Sequence, residues 1–181
     1  MGKRVIRQIP NAITVLRILL VPVVVFLILE ADTAWELWLA VFFFVLSAAT
    51  DGLDGAIARR KDLITKTGQL LDPIADKALL GATLIALSLI GEVGWLPTVL
   101  ILAREIGVTI YRLVVAKKRV IAASSGGKLK TIIQSTALPI VIAPFEVFGD
   151  WVLVVNQSVI WIAVGVTLWT GVNFFRKQIG R

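Results

Sequence analysis

Six long apolar runs, separated by short charged turns, constrain this chain more than any other feature. They extend from about Ala12 to Leu29, Leu37 to Arg60, Gln69 to Ile90, Leu96 to Ala116, Lys128 to Phe145 and Trp151 to Phe175. Each approaches the ~20 residues a helix needs to cross a bilayer. A backbone in lipid must satisfy its own hydrogen bonds, so helices are the spanning form open to such runs. The expectation is an all-α integral membrane protein with six transmembrane helices. At 181 residues and 57% hydrophobic, the chain has room for six spans and short turns but no added soluble domain. Residues 1–181 are therefore read as one membrane domain.

The charges predict its orientation. Residues 1–9 carry Lys3, Arg4 and Arg7 among Val5, Ile6 and Ile9, a pattern that suits a short interfacial helix next to the membrane. Pro10 and Asn11 then open the first span. The termini, the turn near Arg60 and the turn after Ala116, with the helix stretches beside them and, deeper in the fourth span, Arg104 and Glu105, hold all nineteen Lys and Arg and six of the twelve acids, or +13. The other three turns hold Glu30, Asp32, Glu36, Glu92, Glu146 and Asp150, or −6, and the sum is the net charge of +7. The positive-inside rule then places both termini in the cytoplasm. Because the basic clusters flank apolar runs, anionic lipid accounts for them and nucleic acid does not. Trp95 marks an interface. Arg17, one turn inside the first span, is expected to snorkel to the headgroups. The chain has no Cys and no His, so disulfides, thiol or imidazole catalysis and zinc sites of the usual kind are excluded.

Against this apolar background, four carboxylates fall within 26 residues. Asp51 and Asp54 are spaced i, i+3, and Asp72 and Asp76 i, i+4, so each pair shares one helix face. The polar segment 60–67 between them is long enough to turn one helix back on the other. Counted from Arg60 and Gly68, Asp51 and Asp76 lie at depths of roughly 13 and 12 Å, and Asp54 and Asp72 at roughly 9 and 6 Å. Four acids at one level repel. They are either solvated at a helix end or hold a cation, and the flanking apolar runs favour the cation. Oxygen ligands without His or Cys suit Mg2+ or Mn2+, as one ion or as the two-ion clamp that serves phosphoryl transfer. Gly52 and Gly55 each cost a helix roughly 1 kcal/mol relative to Ala. Either they allow close helix packing, or, as the acids beside Gly55 favour, they leave room for a ligand.

The pattern D-x2-D-G-x2-A-R-x8-G-x3-D-x3-D, fixed at eight positions from Asp51 to Asp76, resembles the signature of the CDP-alcohol phosphotransferase family without departure. The resemblance implies a reaction in which a hydroxyl attacks the lipid-side phosphate of a CDP-lipid and CMP leaves. It implies metal ligation by Asp51, Asp54, Asp72 and Asp76, with Asp76 also the base on the acceptor hydroxyl and two Mg2+ or Mn2+ ions the expected complement. It assigns Asp54, Gly55, Ala58, Arg59 and Gly68 to the CDP-lipid pocket and brings Thr14, in Pro10–Thr14, near the nucleotide. It also implies a homodimer.

The acceptor is read from looser segments. Ala103-Arg104-Glu105-Ile106, Arg112 and Gly127-Lys128-Leu129-Lys130-Thr131 resemble the branch of the family that uses sn-glycerol 3-phosphate. The donor expected with it is CDP-diacylglycerol. Arg104, Arg112, Lys128 and Lys130 are the candidate ligands of the acceptor phosphate, a dianion that needs fixed cations. Positive-inside charge is the plain alternative for Arg112, Lys128 and Lys130. For Arg104 and Glu105 it is a buried ion pair that fixes helix packing. Other acceptors in the family include inositol phosphate, serine and, for cardiolipin synthesis, phosphatidylglycerol. A divalent-cation transporter would also hold intramembrane acids, but apart from Arg104 the outer halves of these spans offer almost no ionisable path.

The charge pattern generates a topology test. A single Cys introduced at position 32 of this Cys-free chain should react with an impermeant maleimide in intact cells. Reaction only after permeabilisation would invert the assignment.

Overall fold

A computed structural model describes the backbone of residues 2–61, 66–116 and 125–179, and the side chains of 14–50, 77–112, 114–115 and 129–178. The described residues are helical throughout, with short turns and no strand. In order they form α1 (Gly2–Leu29), α2 (Ala34–Lys61), α3 (Lys66–Leu89), α4 (Trp95–Ala116), α5 (Ser125–Ile142), a short 3-10 helix (Phe145–Phe148) and α6 (Trp151–Ile179). These match the six runs within a few residues at most ends. One correction is at the N-terminus, where the separate element expected over 1–9 is absent and α1 continues through Pro10. A proline removes one intrahelical bond, which a 28-residue helix tolerates. By length and composition, Trp151–Gln178 is the one helix among the described residues apolar enough to cross a membrane. The apolar parts Thr14–Leu29, Ala34–Thr50, Lys77–Leu89 and Leu129–Ile142 are shorter.

The chain forms two compact units. One comprises Met1–Leu87 with Ile142–Pro144, the other Ser88–Val141 with Phe145–Arg181. In the first, α1 and α2 pack together. The α1 helix buries Thr14, Arg17, Val24 and Ile28, and α2 buries Ala40, Phe44 and Ser47. Both sets follow the 3–4-residue spacing of a single helix face. The Phe42-Phe43-Phe44 run divides accordingly, with Phe42 exposed and Phe44 buried. Arg17 is 1% exposed, so it turns into the protein and does not snorkel. It lies on the same buried face as Thr14, and that register overrides its nearness to the headgroups.

In the second unit, α4 packs on α6. Thr98, Ile101, Glu105 and Val108 form the buried stripe of α4. On α5 the stripe is Lys130, Gln134, Ala137, Leu138 and Val141, with Pro139 inside the helix. Along α6 the burial runs from Val152 and Asn156 through Ile160, Ala163, Val164, Thr167 and Thr170 to Phe174. A hydroxyl pair, Ser88 Oγ and Thr98 Oγ1 at 2.7 Å, ties the end of α3 to α4. Gln134 Nε2 donates to Thr167 Oγ1 at 2.8 Å and ties α5 to α6. The buried faces are thus mixed or polar. Large apolar side chains stand exposed on every helix, among them Leu19, Phe26, Phe42, Leu89, Ile106, Ile132, Ile162 and Trp169.

The acidic turns are built for abrupt reversals. At the start of α2 the Glu36 side chain reaches back over Thr33, as the Glu of a capping box does. Glu36 Oε2 accepts from the backbone N–H of Asp32 at 2.8 Å and of Thr33 at 2.9 Å, and from the Thr33 hydroxyl at 3.0 Å. These donors hold its carboxyl below the ordinary glutamate range. Gly91 and Gly149 take φ of 88° and 112°, the left-handed region that costs other residues about 1–2 kcal/mol. Exposed Trp35, Trp38, Trp95 and Trp151 flank these turns.

Burial, and then the nearby charge of Glu146, push the Glu92 carboxyl above the ordinary value of 4.5. The folded protein therefore holds this proton more tightly than the unfolded chain. Stability from this group is complete at low pH and falls as pH rises from 4.5 through the folded value. In thermal unfolding across that window, Glu146→Gln should lose less stability than the parent chain. Equal losses in both would show that Glu146 does not act on Glu92.

Candidate active site

The aspartate motif lies on two consecutive helices of the first unit. Asp51, Asp54, Gly55, Ala58 and Arg59 belong to α2, and Gly68, Asp72 and Asp76 to α3. Asp51 is ten residues before the end of α2 at Lys61, and Asp76 ten residues after the start of α3 at Lys66. At the helical rise both stand roughly 15 Å from the junction. Asp54 and Asp72 are seven and six residues from it, roughly 10 and 9 Å. Counted from the helix ends, the two acid pairs differ less in depth along their own helices than in the count from Arg60 and Gly68. The side chains of all eight motif positions lie outside the described residues.

One turn before Asp51, Ser47 is wholly buried, and the Thr50 hydroxyl is tied back to the carbonyls of Leu46 and Ser47 at 2.9 Å each. On α1, Thr14 is 1% exposed, one turn from the buried Arg17. Among the described residues no three acids form a cluster able to hold a metal ion. The chemistry of the motif's donor set, four carboxylates with no soft ligand, fits a hard divalent ion.

The candidate cations of the second unit sit in a defined network. Glu105 Oε1 accepts from Arg104 Nη1 at 3.0 Å and from Lys130 Nζ at 2.6 Å. Arg104 Nη2 donates to Thr170 Oγ1 at 3.2 Å, and Thr170 in turn donates to the Thr167 carbonyl at 3.0 Å. Glu105 and Lys130 are buried, and Arg104 keeps only 12% of its side chain exposed. Its Nε is buried with no acceptor among the described residues. Gly171 leaves the space that Arg104 occupies, since a Cβ there would come within 3.0 Å of Arg104 Cγ and 3.3 Å of its Nε.

The two nitrogens on Glu105 Oε1, at 3.0 and 2.6 Å, can be no more than 5.6 Å apart. Without the carboxylate, two cations that close would repel by about 3 kcal/mol at an effective dielectric constant of about 20. Glu105 therefore makes the pairing of Arg104 with Lys130 possible. Arg112, two turns further along α4, is exposed and lies over the Phe174 ring, 5.2 Å from its centroid. Phe174 also meets Tyr111 edge to face at 5.7 Å. Lys128 begins outside the described side chains, within the first turn of α5.

Of the four cations proposed for the acceptor phosphate, Arg104 and Lys130 converge on one carboxylate, and Arg112 stands separately on an aromatic face. The pairing of Arg104 with Glu105 was one of two readings open in the sequence. The link to Lys130, 25 positions away, and the parts played by Thr170, Gly171 and Phe174 were not foreseen. A buried-face lysine at the start of α5 was the one signal for the first of these.

A chain of six helices with this aspartate motif has close counterparts. Residues 7–169 match the CDP-alcohol phosphatidyltransferase family. The chain is 37% identical over 186 aligned residues to a probable phosphatidylglycerophosphate synthase of Mycobacterium tuberculosis, covering 98% of this chain and 85% of that one. It is 37% identical to the CDP-diacylglycerol–glycerol-3-phosphate 3-phosphatidyltransferase of Rickettsia prowazekii, covering 96% of each. It is 38% identical to the protein of the same name from Pseudomonas fluorescens, covering 93% of this chain and 89% of that one. The chain belongs to the CDP-alcohol phosphatidyltransferase family.

Proposed function

We propose that this chain transfers the phosphatidyl group of CDP-diacylglycerol to sn-glycerol 3-phosphate, giving phosphatidylglycerophosphate and CMP. The observation that carries this reading is its full-length likeness to relatives named for that reaction, together with an intact aspartate motif. The enzyme acts as a multi-pass protein of the cytoplasmic membrane, with six spans, both termini and the acid motif on the cytoplasmic side, and as a homodimer. Exposed apolar faces on all six helices and tryptophans at the acidic turns support the membrane setting.

Asp51, Asp54, Asp72 and Asp76 would hold two Mg2+ or Mn2+ ions. When bound, these neutralise the diphosphate and the charge that builds on the departing CMP. Thr14, Asp54, Gly55, Ala58, Arg59 and Gly68 bind the CDP-lipid, the glycines leaving room for the nucleotide and Arg59 pairing with its diphosphate. Asp76 takes the proton of the acceptor hydroxyl. That oxygen forms a new bond to the lipid-side phosphorus, the bond from phosphorus to the CMP oxygen breaks, and CMP leaves with the electron pair. The phosphate of the acceptor is held by Arg104, Arg112, Lys128 and Lys130. The buried Arg104 Nε, a donor without a protein acceptor among the described residues, supports this assignment.

The test is CMP release by the purified chain in lipid, with CDP-diacylglycerol and a panel of acceptors. Turnover should require Mg2+ or Mn2+ and be greatest with sn-glycerol 3-phosphate. Full activity in excess EDTA would remove the metal assignment. Turnover with an unphosphorylated acceptor, and none with sn-glycerol 3-phosphate, would remove the acceptor.

A further inference from the structure

The sequence left Glu105 between a packing role and a functional one. Its carboxylate is shared by two of the four proposed phosphate ligands, Arg104 on its own helix and Lys130 on α5. One oxygen accepts both, so the two nitrogens lie within 5.6 Å of each other. Two phosphate oxygens can be bridged by cations at that separation, since each N–H···O bond spans about 2.8 Å. Arg104 is fixed from two further sides, by Thr170 Oγ1 at 3.2 Å and by the space left at Gly171. Lys130 has a long flexible stem with several rotamers, and the 2.6 Å bond to Glu105 selects one of them.

We propose that Glu105 is the positioning residue of the acceptor-phosphate pocket, holding Lys130 beside Arg104 in the arrangement that receives the phosphate of sn-glycerol 3-phosphate. The inference rests on the reading of Lys130 as an acceptor ligand. It separates the roles of the network's members, because Glu105 itself never touches the anion. A carboxylate facing a phosphate would repel it, whereas one placed behind two cations fixes their spacing.

The measurement is steady-state kinetics of the full chain in lipid, with each substrate varied, alongside thermal unfolding. Glu105→Gln keeps the shape and removes the charge. It should raise KM for sn-glycerol 3-phosphate about tenfold or more and leave KM for CDP-diacylglycerol unchanged. Where this variant does not accumulate, Glu105→Asp carries the same test. It keeps the charge, withdraws the oxygen by roughly one carbon–carbon bond, about 1.5 Å, and should also raise the acceptor KM.

The exchange Glu105→Lys with Lys130→Glu tests whether an ion pair between the two positions is all that the site needs. It restores an ion pair between α4 and α5 and should recover thermal stability, but the acceptor KM should stay raised. Recovery of both would make Glu105 a packing residue and overturn the inference. A wild-type acceptor KM in folded Glu105→Gln would overturn it too. If Lys130→Ala raises the acceptor KM while Glu105→Gln does not, the inference alone fails. A wild-type acceptor KM in Lys130→Ala removes Lys130 from the pocket, and the inference falls with that reading.

Discussion

Every charge on the buried or apolar part of a helix needs a partner, and this requirement shapes the chain more than any apolar contact. In lipid the outward faces of the helices gain nothing by leaving one another, because the surrounding tails are as apolar as their own side chains. What distinguishes the inward faces is polar. Within the second unit, Glu105 with Arg104 and Lys130 ties α4 to α5, Gln134 with Thr167 ties α5 to α6, and Ser88 pairs with Thr98. The loss of any one member would take a hydrogen-bond partner from a buried group, and leaving such a group wholly unsatisfied costs about 1–3 kcal/mol, more for a charge.

The same requirement accounts for the two halves of the proposed chemistry. Four aspartates on α2 and α3 call for cations, and divalent ions supply them with the charge that phosphoryl transfer uses. The cations of α4 and α5 call for anions. Glu105 meets part of that demand in the fold itself, and in the proposed reaction an acceptor phosphate meets more of it on binding. In the proposed reaction, groups that would be a liability to a membrane protein are matched to charges carried by a substrate or an ion.

Much of this was legible in the sequence. Helix number, helix ends and the aspartate motif follow from run length and spacing, because both reflect geometry within one helix. The continuity of α1 through Pro10 was not legible, since a proline signals a boundary in a short helix and only a missing bond in a long one. Arg17 was misread for a related reason. Its depth suggested the headgroups, but its side-chain direction is fixed by the register it shares with Thr14, Val24 and Ile28. The Glu105–Lys130 bond joins different helices, and only packing can bring such residues together. Gly171 was silent as well, because an absent side chain shows its use only when Arg104 is seen to fill the space.

The central claim is that the aspartates of α2 and α3 act together as one divalent-cation site. Its most direct test is binding, free of any assumption about substrates. Mn2+ titrated into the purified chain in lipid discs, with the free ion followed by electron paramagnetic resonance, should show saturable uptake. That uptake should be lost in Asp51→Asn, on α2, and equally in Asp72→Asn, on α3. Undiminished binding in both variants would contradict the claim.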